Sequence, residues 1–129
     1  MQRREARELV LQVLYEREFV DTPIAEILAE HEADDQRQYV EETLRGVVKH
    51  LPDLDEKINQ YALGWRVERL AVLDRNILRL GLFEILHAPD IPAQVAIDEA
   101  VELSKKYGTE NAQSFINGIL DRVWKDSST

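Results

Sequence analysis

Glu84 and His87 form the chain's one ExxH pair, a spacing that puts two metal-ligating side chains on the same face of a helix. A di-iron bundle needs a second such pair and two further glutamates, and neither His31 nor His50 has one. His87 reads instead as a histidine at the C-terminal end of a helix dipole, and no metal or other cofactor is expected. The absence of cysteine excludes thiolate nucleophiles, disulfides and cysteine-held zinc together. Ser104 and Ser114 lie on amphipathic helical patterns without a GxSxG turn, and Glu41 and Glu42 are more simply a solvated face. Only five glycines occur and none are grouped, so no loop of the phosphate-cradling kind is present. Catalysis is not expected.

Polar contact with a nucleic acid is the chemistry that remains. Arg3, Arg4 and Arg7 lie at one end of a helical pattern where they can meet phosphates, and Tyr15 follows along the same polar face for stacking or hydrogen bonding to a base. Glu5 and Glu8 interrupt this cluster, so solvated pairs within the helix are the competing reading. A second surface is the run GTENAQSFING, Gly108 to Gly118, which offers Asn111, Gln113, Ser114 and Asn117 as neutral hydrogen-bonding groups around Phe115. Helix capping and core packing of Phe115 explain the same residues without a ligand.

These residues must be positioned by helices. Asp74 to His87, DRNILRLGLFEILH, has Ile77, Leu78, Leu80, Leu82, Phe83, Ile85 and Leu86 spread around almost its whole circumference, so other helices have to wrap it. Asp74 serves as its N-cap or first-turn anion, and Pro89 ends it. Gly81, costing about 1 kcal/mol against Ala in a helix interior, points to a close crossing, while Arg79 and Glu84 need either solvent or partners.

Around this rod the spacing predicts a helix over Arg3 to about Phe19, with Leu9, Val10, Val13, Leu14 and Ala6 inward and the arginines, Gln12 and Tyr15 outward. Thr22 and Pro23 open a short helix to about His31, as N-cap and first helical residue. After the polar loop HEADDQ, Asp34 or Asp35 caps a helix to about His50, which Pro52 ends. Asp53 to Tyr61 is a further amphipathic helix, Gly64 and Trp65 a turn closed by an anchored aromatic, and Val67 to Leu73 a helical lead into the buried rod. Ala93 to Tyr107 forms a helix with Gly108 as its C′ residue, Thr109 or Glu110 opens the last helix, and the tail Asp126 to Thr129 is too polar and short to stay ordered.

No stretch alternates with period two long enough for a sheet, and no repeat appears. An all-α domain spanning 1–129, with about seven helices in two small packed bundles (1–63 and 64–129), is the expected architecture. At 129 residues the chain is long enough to bury a core unaided. Its net charge of −9, from 16 basic against 25 acidic residues, opposes unaided binding to nucleic acid and favours a basic protein partner. No signal-peptide core and no bilayer-length apolar run is present, and a cytoplasmic protein with no membrane contact is expected.

The runs VAIDEAVELSKKYGTENAQSFINGILD (Val95 to Asp121) and DRNILRLGLFEIL (74 to 86) closely resemble the signatures of the NusB transcription antitermination family, and RREARELVLQVLYERE at 3 to 18 resembles its opening helix. The resemblance implies an all-helical RNA-binding adaptor without catalysis. It implies binding of boxA RNA together with the ribosomal protein known as NusE, joining other Nus factors on RNA polymerase to suppress premature termination, notably during ribosomal RNA synthesis. Carried over, it makes Arg3, Arg4 and Arg7 the arginine-rich start, Tyr15 the helix-one aromatic, and Asn111 and Phe115 RNA-facing positions, with Ser114 beside them. Glu68, Asp74 and Arg79 fall in the region of partner and RNA contacts. Here Glu5 divides the arginine run, which argues against strong RNA affinity without a partner. Two other readings stay open: a self-associating structural helical protein, since some relatives form homodimers, and the RNA-binding module of a ribosomal RNA methyltransferase. The latter would need a methyl-donor-binding α/β domain after Thr129.

Overall fold

The apolar run at 74–87 lies within α5 (Val72–His87), whose Ile77, Leu78, Leu80 and Leu82 are buried and whose Phe83, Ile85 and Leu86 pack against the core. The structure, a computed structural model, describes residues 1–31 and 34–127. The other elements are α1 (Arg3–Arg17), α2 (Ile24–Ala29), α3 (Arg37–Lys49), α4 (Leu51–Tyr61), α6 (Ala93–Tyr107) and α7 (Ala112–Ser127), with single 3-10 turns at Asp34–Gln36 and Val67–Arg69. Among the described residues there is no strand, and the fold is all-α. α5 packs against α1, α3, α4, α6 and α7. At Gly81 an added Cβ would stand 2.8 Å from Leu120 Cδ1 and 3.4 Å from the Ala100 Cβ, so the glycine is what lets α6 and α7 close on the rod.

The polar residues of this buried helix find partners inside the protein rather than in solvent. Glu84, 1% exposed, accepts from Arg7 Nε at 3.1 and 3.2 Å and from the Tyr39 hydroxyl. Arg79 forks onto Asp55 at 2.8 and 2.9 Å and also donates to Glu18 and Asn76. Asp74 accepts from the Thr109 amide at 3.1 Å and the Thr109 hydroxyl at 2.6 Å. Among the described residues no buried side-chain nitrogen or oxygen lacks a partner, as a low-dielectric interior demands.

Helix ends differ from the sequence expectation where side chains are drawn elsewhere. Pro23, not Thr22, is the N-cap of α2, and the Thr22 carbonyl accepts from Arg17 Nη1 at 3.0 Å. Gln36 is the N-cap of α3, and Asp35 takes the terminal ammonium at 3.4 Å; the Asp34 side chain, Glu32 and Ala33 lie outside what is described. α3 ends at Lys49, ahead of Pro52 as the sequence indicates, and Pro52 itself sits in the first turn of α4, where its missing donor costs nothing. The predicted helical lead is a 3-10 turn at Val67–Arg69 followed, after Leu70 and Ala71, by the start of α5 at Val72, and Trp65 is 57% exposed rather than anchored.

Asp74 is a first-turn anion of α5, whose N-cap is Ala71. Because Thr109 is committed to Asp74, α7 begins only at Ala112, after Asn111 turns the chain in the left-handed region at φ 68. Gly108 has extended backbone (φ −78, ψ 172), so it is not a left-handed C′ residue. It is required because a Cβ there would meet the Ser104 carbonyl oxygen at 2.7 Å and Asp74 Oδ1 at 2.9 Å. Asp126 and Ser127 belong to α7, with Ser127 Oγ donating to the Trp124 carbonyl, and the rest of the predicted loose tail lies outside the described residues.

Candidate nucleic-acid interface

The three arginines that open α1 have three different fates. Arg3 is exposed, donates from Nε to Gln36 Oε1 at 2.6 Å and lies 4.1 Å over the Tyr39 ring. Arg4 turns to α6, where its Nε and Nη2 fork onto Glu99 at 3.1 and 2.6 Å. Arg7, expected on the outer face, is 4% exposed and points into the seam between α1, α3 and α5, held by Glu84. Its Nη1 also lies 3.6 Å from Glu99 Oε1. An acidic residue inside an apolar helix needs a buried cation, so Glu84 was the sequence signal for this inward turn.

Arg4 and the first turns of α7 come together. Arg4, Glu99, Lys105, Gln113, Ser114 and Asn117 line an open cleft of about 580 Å³ between α1, α6 and α7, with Asp98 and Glu102 on its acidic side. Residues at opposite ends of the sequence therefore share one concave surface. Asn111 is exposed at the turn into α7, outside the cleft lining, and Phe115 is half-buried against the core. Sequence reasoning missed Glu99, Glu102 and Lys105 as parts of this surface; the hint was their recurrence at helical spacing on α6.

Along the α1–α6 seam, Glu8 accepts from Lys106 Nζ at 2.7 Å and from the Tyr107 hydroxyl. Beyond it lies a second cleft of about 720 Å³, lined by Gln12, Tyr15, Leu73 and Tyr107, in which Tyr15 is 41% exposed and its ring centroid is 5.0 Å from that of Phe19. Arg4 and Tyr15 thus belong to neighbouring concavities, joined through Glu8 and Lys106. The hydrogen bond from Arg4 holds the Glu99 carboxyl below the usual carboxylate range, and those from Lys106 and Tyr107 do the same for Glu8. These pairs are fully ionised at neutral pH.

The residues carried over from the central region are placed differently from one another. Glu68 is exposed and pairs with Arg66 at 3.0 Å. Asp74 and Arg79 are buried structural groups, 6% and 9% exposed, so neither offers a surface to a partner or an RNA. Glu84 of the ExxH pair is likewise consumed by Arg7 and Tyr39, and His87 stacks on His50 with ring centroids 3.8 Å apart. Among the described residues no cluster of three or more acidic or histidine side chains is placed to hold a metal, and no helix is long and apolar enough to cross a membrane.

Comparison with known proteins gives this architecture its relatives. Residues 4–125 match the model of the NusB family. The transcription antitermination protein NusB of Dehalococcoides mccartyi (strain CBDB1) is 44% identical over 128 residues, covering 95% of this chain and 90% of that protein. A solved structure of T. maritima NusB superposes with a TM-score of 0.90 at 40% identity, covering 98% of this chain and 92% of that one. A NusB chain solved with NusE and double-stranded RNA superposes with a TM-score of 0.84 at 27% identity, covering 96% of each. A family match over nearly the whole length, joined to the same helical architecture, means that this chain belongs to the NusB family.

Proposed function

We propose that this chain is an RNA-binding transcription antitermination factor that binds boxA RNA together with the ribosomal protein NusE and so suppresses premature termination, notably during ribosomal RNA synthesis. The single observation that carries this reading is the α1–α6–α7 cleft, whose lining brings Arg4 onto one surface with the neutral polar residues Gln113, Ser114 and Asn117. Arginine engages phosphate oxygens through its fork, while amides and hydroxyls read the edges of unstacked bases. Asn111 and half-buried Phe115 flank the α7 side, Tyr15 offers a stacking face further along α1, and exposed Arg3 is a cation apart from this cleft, over Tyr39 on the α3 side.

The net charge of −9 gives the division of labour. A polyanion is repelled by the chain as a whole, whereas a basic ribosomal protein is attracted, and Glu68 is an exposed anion suited to that contact. The neutralised pair then presents the cleft to RNA in the cytoplasm and reaches other Nus factors and RNA polymerase through the assembly. No bond is made or broken by the chain in this role.

The test is a titration of this protein, NusE and a boxA oligonucleotide in every pairwise and ternary combination. The expected result is weak, salt-sensitive binding of RNA by the protein alone and much tighter binding by the pair. Equal RNA affinity with and without NusE overturns the reading. A homodimer seen by light scattering that persists in saturating RNA and NusE would favour the self-associating alternative.

A further inference from the structure

Arg4 presents its phosphate-binding edge to a carboxylate. Its Nε and Nη2 both donate to Glu99, at 3.1 and 2.6 Å, and this two-nitrogen fork is the one that a phosphate would engage. The Arg4 side chain is 60% exposed and the Glu99 side chain 15%, so the cation can swing away while the anion stays in the seam. Glu99 is not stranded by such a movement, because the buried Arg7 remains 3.6 Å from its Oε1 on the other side. Lys106 and Glu8 repeat the pattern one turn along, with the Lys106 side chain 62% exposed and Tyr107 remaining on the carboxylate if Lys106 leaves. Within the cleft, Arg4 and Lys105 share the lining with Asp98, Glu99 and Glu102, so an approaching phosphate competes with carboxylates for both cations.

We propose that Glu99, assisted by Glu8, is an electrostatic mask over the RNA surface: it occupies the phosphate-binding edge of Arg4 in the free protein and exchanges that cation for Arg7 when RNA binds. This rests on the RNA-binding reading above and adds its regulation. The mask lowers affinity for any polyanion that lacks the rest of the recognition surface, which selects against unspecific RNA. The mask also weakens the dependence on salt, because added salt screens the Arg4–Glu99 pair that competes with the phosphate as well as the phosphate contact itself.

The experiment measures binding of a boxA oligonucleotide to the full chain by fluorescence anisotropy across a salt series, with melting temperature recorded on each sample. Glu99→Gln keeps the size and an acceptor for Arg7 but removes the charge. It is expected to raise affinity about threefold or more and to steepen the salt slope by about 0.7. Adding Arg4→Ala to Glu99→Gln should cancel the gain. Glu102→Gln, which removes a cleft charge paired to Lys105 rather than Arg4, should give a smaller rise. Should Glu99→Gln melt early, Glu99→Asp keeps the charge on α6 but draws the carboxylate back by one methylene from the Arg4 fork, and the same direction is expected at reduced size.

Affinity unchanged or lowered in a well-folded Glu99→Gln protein overturns the mask, as does an equal rise with Glu102→Gln. Failure of the RNA-binding reading shows itself separately: the parent protein and Arg4→Ala would then bind the RNA indistinguishably even with NusE present.

Discussion

Arg7 decides between two accounts of α1, and its replacement separates them. Were it an RNA contact, Arg7→Ala would cost affinity and leave the fold alone. Its side chain is 5% exposed and its partner Glu84 only 1%, with Nε to carboxylate distances of 3.1 and 3.2 Å. Removing one member of a buried pair leaves the other uncompensated, at about 3–5 kcal/mol, out of a total stability of about 5–15 kcal/mol for a domain. The Tyr39 hydroxyl still donates to Glu84, because burial and then the negative charge of Glu84 push the phenol pKa well above its usual value and keep it protonated.

That remaining bond places the cost near the lower end, about 3 kcal/mol. With an unfolding entropy of about 2.1 cal/mol/K per residue, this corresponds to a fall in Tm of about 11 °C for a domain of this length. Thermal unfolding followed by far-UV circular dichroism at pH 7 reads it, and urea unfolding should show a lower midpoint at unchanged slope. Arg7→Met combined with Glu84→Met removes both charges and should recover most of the loss. An Arg7→Ala protein that melts within about 2 °C of the parent yet loses RNA binding would refute the structural role.

Two further outcomes test the packing. Gly108→Ala introduces no backbone strain, since φ is −78, but its Cβ would press on the Ser104 carbonyl at 2.7 Å and on Asp74 Oδ1 at 2.9 Å. A loss of about 1–3 kcal/mol by urea unfolding is expected, and a neutral substitution would mean that the α6–α7 turn has slack. Partial burial, and then the neighbouring charge of His50, hold the His87 pKa below its usual value, with Asp53 opposing weakly. The folded protein therefore prefers neutral His87, and this stability is present above about pH 6.5 and is lost as pH falls through the depressed pKa. The acid limb of a Tm against pH profile should flatten in His87→Phe; an identical limb in parent and variant would contradict the assignment.

The helical class, the central place of α5 and the run of α6 follow from periodicity and from breaker residues, which act within a few positions. Ile77 through Leu86 leave no polar face, so other helices had to surround them, and Gly81 announced the close crossing that Leu120 and Ala100 make. The runs at 3–18, 74–86 and 95–121 carried the family as well. What local spacing could not tell was which polar groups would meet. Arg4 and Glu99 are 95 positions apart, Arg7 and Glu84 77, and Asp74 and Thr109 35.

Arg3, Arg4 and Arg7 look alike on a helical projection, yet one reaches solvent, one the rim of a cleft and one the interior. The desolvation of Glu84 and the position of Glu99 on a later helix separate them. Asp74 and Arg79 have surface-type side chains, but long-range pairing makes them core. Hydrogen bonds within a helix join residues four apart, so they set the elements. Burying a charge demands a counter-charge wherever the chain can bring one, so only the assembled helices determine which arginine stays at the surface.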